Sequence, residues 1–220
     1  DQVEQWLSRA AEVESKDRPR WENERQRLEI RLRLHQEDVE AAAQLQWEIY
    51  RLTQRVEDYC YLVELAEAHG LPVDYRQLAI DWLTERLGET AGPRLAWAPA
   101  PENSLLEIYL YEGRLTEAQA LCAQRRVASG LLHALAQALK IPDESLPLYL
   151  RLVRSEVSKT NNQGYQQGIA LLKELRDTLE TPAQHEIFAE VLMQLRIDFK
   201  QKRNFIVTIQ VAADGMSPTT

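Results

Sequence analysis

The sequence predicts an all-α protein, an α-solenoid of stacked antiparallel helix hairpins, and three observations predict it. Leu, Ala, Glu, Gln and Arg dominate the composition, and all are helix formers with little rotamer entropy to lose. Apolar residues recur at steps of three and four along most of the chain. The gaps between these periodic stretches are short, and short connections force antiparallel neighbours. No single amphipathic helix can bury its own stripe, so consecutive hairpins must stack. Alternating β-branched runs are nearly absent, with "FIVTIQV" at 205–211 the one candidate.

The elements follow in order. Helices are expected near 2–15, 20–35, 38–53, 55–69, 73–88, 103–112, 116–128, 130–140, 144–159, 163–180 and 182–201, with a short helical or irregular end to 212. Val56, Tyr59, Val63 and Ala66 form one stripe, and Leu146, Tyr149, Leu150, Val153 and Val157 another. Tyr165, Ile169, Leu172, Leu175 and Leu179 form a third, and Phe188, Leu192, Leu195 and Phe199 a fourth. Start signals accompany the stripes. Ser104-Leu-Leu-Glu107, Thr116-Glu-Ala-Gln119 and Thr181-Pro-Ala-Gln184 read as capping boxes, and Asp74 to Gln77 as a weaker one. Pro182 suits a first helical position, where its missing N–H costs nothing. Gly70 with Pro72 ends one helix and Gly88 the next.

The organisation read from these signals has N-terminal helical hairpins over 1–88 and a Pro- and Gly-containing connection over 89–102. C-terminal hairpins over 103–212 and a tail over 213–220 follow, with one continuous solenoid as the alternative. Trp97 lies in the connection, either as an exposed anchor for a partner or as a ring folded back over a groove, and the gain from burial favours the second.

Length and charge narrow the function. The 220 residues are enough for one or two domains with a sizeable core. The net charge of −8 is uneven: residues 1–100 carry 13 Lys+Arg against 20 Asp+Glu, a balance of −7. Such a chain has no general affinity for phosphate backbones. The acidic N-terminal helices, around 22–67, either present a face to a basic protein segment or simply keep the scaffold soluble, with the second slightly favoured. Cys60 and Cys122, the only cysteines, sit in apolar helical patterns and read as buried thiols. No apolar run is long enough to span a membrane, no signal segment opens the chain, and a reducing cytoplasm is expected. The chain begins at Asp1, which predicts a piece of a longer protein.

No catalytic or cofactor signature is present, and no catalytic, cofactor-binding or metal-binding residue is expected. His35, His69, His133 and His185 are scattered and read as helix-end or surface residues. Phosphate-binding loops and nucleophile elbows are absent from the sequence. Pairs such as Glu22 and Glu24 read as solvated helix faces. The basic run "RIDFKQKRNF", with Arg196, Lys200, Lys202 and Arg203, is a candidate contact for nucleic acid or an acidic partner. Cations near a helix's negative end explain it without a ligand.

Residues 106–122, "LEIYLYEGRLTEAQALC", show the hairpin most clearly: a helix, the turn Glu112-Gly113-Arg114, and a second helix entered with the small Ala118. Leu105, Leu106 and Tyr109 are expected to face Leu121 and Cys122. Tyr109, Ala118 and Gly130 fall near the positions of a tetratricopeptide (TPR) consensus, although no constant period holds and "KTNNQG" at 159–164 is a longer connection. The chain thus resembles a degenerate TPR array, which implies a right-handed α-α superhelix that binds a protein or peptide. Over about 102–206, the segment Tyr149-x-Arg151-Leu-Val, the run Tyr165, Gly168, Leu171, Leu172 and the ending "KQKRNF" resemble the helical region that follows the zinc finger in bacterial SWIM zinc-finger proteins. The finger's Cys-x-Cys and Cys-x-His ligands are not in this sequence. The resemblance therefore implies a non-catalytic scaffold beside a finger located upstream, with nucleic acid reached only through the parent protein.

Overall fold

In a computed structural model the described residues are 19–88 and 99–214, together with Trp6 and Arg9, with side chains described over 24–88 and 99–209. The expected first helix, most of the 89–102 connection with Trp97, and the end of the tail lie outside them. Among the described residues there are eleven helices and no strand. They are α1 (Pro19–His35), α2 (Val39–Thr53), α3 (Val56–Ala68), α4 (Tyr75–Gly88), α5 (Pro101–Tyr111), α6 (Leu115–Gln124), α7 (Ser129–Ala138), α8 (Pro142–Ser158), α9 (Asn162–Asp177), α10 (Pro182–Asp198) and α11 (Arg203–Asp214). The run "FIVTIQV" falls in α11, where Phe205 and Ile209, four apart, share a buried face. Burying that face outweighs the modest strand preference of Ile, Val and Thr.

The chain divides into two compact units, Asp1–Glu112 and Gly113–Thr220. The hairpin at 106–122 is thereby divided, α5 closing the first unit and α6 opening the second. Leu105 and Leu106 are buried in the first, and Ala118, Leu121 and Cys122 in the second.

In the first unit Ala42 and Ala43 on α2 are fully buried, and their small side chains let α1 and Ile30 come close. Trp47, Tyr50, Tyr59, Tyr75 and Trp82 form an aromatic cluster, with Tyr50 and Tyr59 ring centres 5.9 Å apart and Arg86 stacked 4.8 Å over Trp82. Each such pair adds about 0.5–1.5 kcal/mol beyond its area. Only Gln54 and Arg55 separate α2 from α3. The reversal puts Gln54 in the left-handed region, φ 53°, with no glycine to relieve it.

The core of the second unit is the stripe on α8 (Tyr149, Val153, Val157) against that on α9 (Tyr165, Ile169, Leu172, Leu175), closed by Phe188, Leu195, Phe205 and Ile209. The helices approach closely because two glycines face α8. A Cβ on Gly168 would lie 3.2 Å from Val157 Cγ2, and one on Gly164 would lie 2.5 Å from the Glu156 carbonyl oxygen. Arg151 donates to the carbonyls of Cys122 (2.6 Å) and Arg125 (3.3 Å), which end α6 and have no helical partner of their own.

Two expected capping boxes are corrected. α5 begins three residues before Ser104, at Pro101, whose fixed φ suits a first position. Ser104 is therefore interior, buried, and its hydroxyl has no partner. α6 is entered through Arg114, whose guanidinium cannot accept and instead donates to Glu117 at 2.8 Å, so Thr116 caps nothing. The other two starts form. Thr181 and Gln184 make a reciprocal box, and the Asp74 carboxylate accepts from Gln77 N–H at 3.1 Å.

Candidate functional site

A polar groove of the first unit runs along the N-terminal turns of α3. α1 supplies Arg27 and Arg31, α2 supplies Gln46, the α2–α3 turn supplies Gln54 and Arg55, and α3 itself supplies Glu57, Asp58 and Tyr61. Pro99 and Glu107 close one end. Two adjoining cavities, about 270 and 490 Å³, share Arg27, Glu57 and Asp58. Asp58 is the fixed point. It is buried, accepts from Thr53 Oγ1 at 2.7 Å and Arg27 at 3.2 Å, and its carbonyl accepts from Gln46 at 2.8 Å.

Elsewhere in the first unit buried polar groups are left unpaired. The Gln54 side chain is 3% exposed and its Oε1 has no partner. The Tyr50 hydroxyl, the Ser104 hydroxyl and Gln26 Oε1 are also buried without one. A buried polar atom left unsatisfied costs about 1–3 kcal/mol. Of the six such side-chain atoms among the described residues, five are in the first unit, so the mismatch is local. Burial first, and then the charge of Glu57, pushes the Glu107 carboxyl above the usual carboxylate range. Burial, with the charge of Glu107, likewise pushes the Tyr50 phenol up.

Two other constellations are closed. In the first unit Glu112 accepts from Tyr59 at 2.7 Å and from Arg76 at 3.1 Å, while Arg76 also pairs with Glu67. In the second unit Glu174 accepts from Tyr149 (2.8 Å), Gln137 (2.8 Å) and His133 Nε2 (2.9 Å). An ionised carboxylate only accepts, so Nε2 carries the proton. Burial raises the Glu174 carboxyl, but the bonds from Gln137, Tyr149 and His133 outweigh it and hold the group below its usual range. His133 is thus tied to a carboxylate rather than lying simply at the surface. Burial pushes both cysteine thiols up: Cys122 is buried and Cys60 half-buried.

Trp97 lies outside the described residues. Arg196 is half-buried in the last turn of α10, with its Nε unpaired. Lys200 is exposed in the turn after α10, Lys202 donates to Thr160 Oγ1, and Arg203 is exposed at the start of α11. The residues of the groove escaped the sequence reading. One signal for them was present: a helix junction at 53–55 too short for an ordinary turn and lacking Gly or Asn, which forces a side chain into the left-handed region. Among the described residues no cluster of three or more metal-ligating side chains occurs, and no helix is long and apolar enough to cross a membrane. Comparison of the chain with protein families, with characterised proteins and with solved structures finds no match.

Proposed function

We propose that this chain is a non-catalytic helical scaffold that binds a segment of another protein. The observation that carries the reading is the α3 groove, an open polar surface lined by Arg27, Arg31, Arg55, Glu57 and Tyr61, with the half-buried Glu107 carboxylate at one end making no side-chain hydrogen bond or ion pair among the described residues. A partner segment that supplied a donor to Glu107 would offset part of the cost of burying that carboxylate. The non-catalytic part is supported by the closed carboxylates. Asp58, Glu112 and Glu174 each already accept from two or more side chains, so none is poised to take a proton from a substrate. The right-handed superhelix of degenerate TPR-like hairpins belongs to the same proposal, and so does a scaffold role beside a SWIM-type zinc finger in a bacterial cytoplasmic protein. Short connections and packing between chain neighbours within each unit support the first. The resemblance of 102–206 supports the second.

The nucleic-acid reading of the basic C-terminal run has less support, since Lys202 is held by Thr160 and Arg196 is half-buried. Capture from native lysate on the immobilised chain, followed by mass spectrometry, tests the scaffold reading. The expected result is a protein enriched by the wild type and lost with the paired rim variant Tyr61→Ala, Arg31→Ala. No protein enriched above empty resin would overturn the reading.

A further inference from the structure

We infer that the smaller cavity of the groove, between Arg27 and Arg31 of α1 and Tyr61 of α3, receives one acidic side chain, the carboxylate of a Glu or Asp in a segment of the partner. The inference rests on the scaffold reading above and gives the groove an occupant of defined chemistry.

The arginines of α1 are not used alike. Arg25 pairs with Glu29 at 2.9 Å, and Arg33 lies 3.8 Å from Glu29 and 4.0 Å from Asp38. Neither of these two lines the groove. Arg27 and Arg31, four positions apart, both line the 270 Å³ cavity. Residues at that spacing are neighbours on one helix face, where like charges repel. Arg31 is exposed and makes no ion pair or side-chain hydrogen bond among the described residues. An anion set between the two guanidiniums would turn one repulsion into two attractions.

Arg27 is held for this role. Its Nη2 donates to Asp58 at 3.2 Å, and Asp58 is buried and itself fixed by Thr53 Oγ1. The Arg27 side chain is still 57% exposed, so the guanidinium is anchored without being covered. Across the cavity Tyr61 is 42% exposed, and its hydroxyl has no partner among the described residues. The exposed lining thus offers N–H and O–H donors from three side chains. Glu57 is its one exposed carboxylate. It also lines the larger cavity, where it lies close enough to Glu107 to raise that carboxyl.

A cation would meet two guanidiniums and an Asp58 already taken by Thr53 and Arg27. A carboxylate matches the planar guanidinium fork, which gives two parallel bonds where geometry allows. The space also favours a side chain on a chain. The 270 Å³ cavity adjoins the 490 Å³ cavity through Arg27, Glu57 and Asp58. That leaves a path for backbone past Arg55, which is exposed and makes no side-chain ion pair among the described residues.

The test is an amide chemical-shift titration of the whole chain at low ionic strength. The probes are acetyl-Ala-Ala-Glu-Ala-Ala-amide and the same peptide with neutral Gln in place of Glu. The glutamate peptide is expected to give saturable shifts at Arg27, Arg31 and Tyr61 that fade as salt is added, and the glutamine peptide none. Arg31→Gln should weaken binding about fivefold, the loss of one exposed charge contact. Tyr61→Phe, which keeps the ring and removes the hydroxyl, should weaken it about threefold. Arg33→Gln makes the same charge change on the same helix but outside the cavity, and should leave binding unchanged.

No shifts with the glutamate peptide, equal shifts with the glutamine peptide, or undiminished binding by Arg31→Gln would each overturn the inference. So would equal losses in Arg31→Gln and Arg33→Gln, or the same shifts at lower concentration with inorganic phosphate alone. Its failure is distinguishable from that of the scaffold reading. A partner captured from lysate equally by wild type and Arg31→Gln would sink the pocket and leave the scaffold. A bound glutamate peptide with no captured protein would sink the scaffold and leave the pocket.

Discussion

Glu174 concentrates much of the second unit's polar bonding on one carboxylate, so its neutralisation should be felt. Hydrogen bonds to a charged group contribute about 1.5–3 kcal/mol, less where solvent screens them. Glu174→Gln should lower stability in urea melts at neutral pH by about 1–2 kcal/mol. The folded carboxyl lies below its usual range, so its contribution is fully present above the unfolded value of about 4.3. It is lost as pH falls through the folded value, and wild type and variant should converge in acid. Gly164 offers a second test at this scale. Its Cβ would meet the Glu156 carbonyl oxygen at 2.5 Å, a backbone atom that cannot swing aside. Gly164→Ala should therefore cost about 1–3 kcal/mol. Gly130, exposed in the first turn of α7 with nothing near its absent Cβ, should gain up to about 1 kcal/mol on the same change. Equal effects in thermal melts would show that the α8–α9 approach is misplaced.

Helix starts separate what a sequence pattern shows from what needs three dimensions. The centre of every stripe named from periodicity is buried, with Val56, Leu146, Leu150, Leu179, Leu192 and Phe199 only half-buried, because apolar spacing at 3.6 residues per turn is itself the cause of burial. Capping boxes are less legible, since the same four letters serve at a start or inside a helix. Thr181-Pro-Ala-Gln184 stands where the chain enters α10, but Ser104 was overtaken by Pro101 and Thr116 by Arg114. Thr181→Ala should cost about 1 kcal/mol as a true cap. Ser104→Ala should cost nothing or stabilise, because it removes a buried hydroxyl with no partner. If the two variants lost equal stability, α5 would have to start at Ser104 after all. Ala118, fully buried on α6, makes the last prediction at this scale. Ala118→Trp should overpack the second unit by about 1–3 kcal/mol or more, while Gln119→Ala, losing only an exposed bond to Glu144, should cost less than about 1 kcal/mol.

At the scale of the whole molecule the all-helical class was legible and the candidate site was not. Composition and period act along one helix at a time, whereas the groove joins α1, α2, the α2–α3 turn, α3 and the middle of α5, up to 80 positions apart from Arg27 to Glu107. Only folding shows that Gln54 lacks a donor and that Glu57 lies close enough to disturb Glu107. The charge excess of residues 1–100 was visible, but not which carboxylates are already paired. Photocrosslinking tests most directly whether the groove receives a protein. A benzophenone side chain would replace Tyr61 on the groove rim, with Leu78, exposed on α4 away from the groove, as the reference position in the same unit. The account predicts that Tyr61 crosslinks in lysate to one protein. Crosslinking from Tyr61 no greater than from Leu78, or spread over many unrelated proteins, would contradict it.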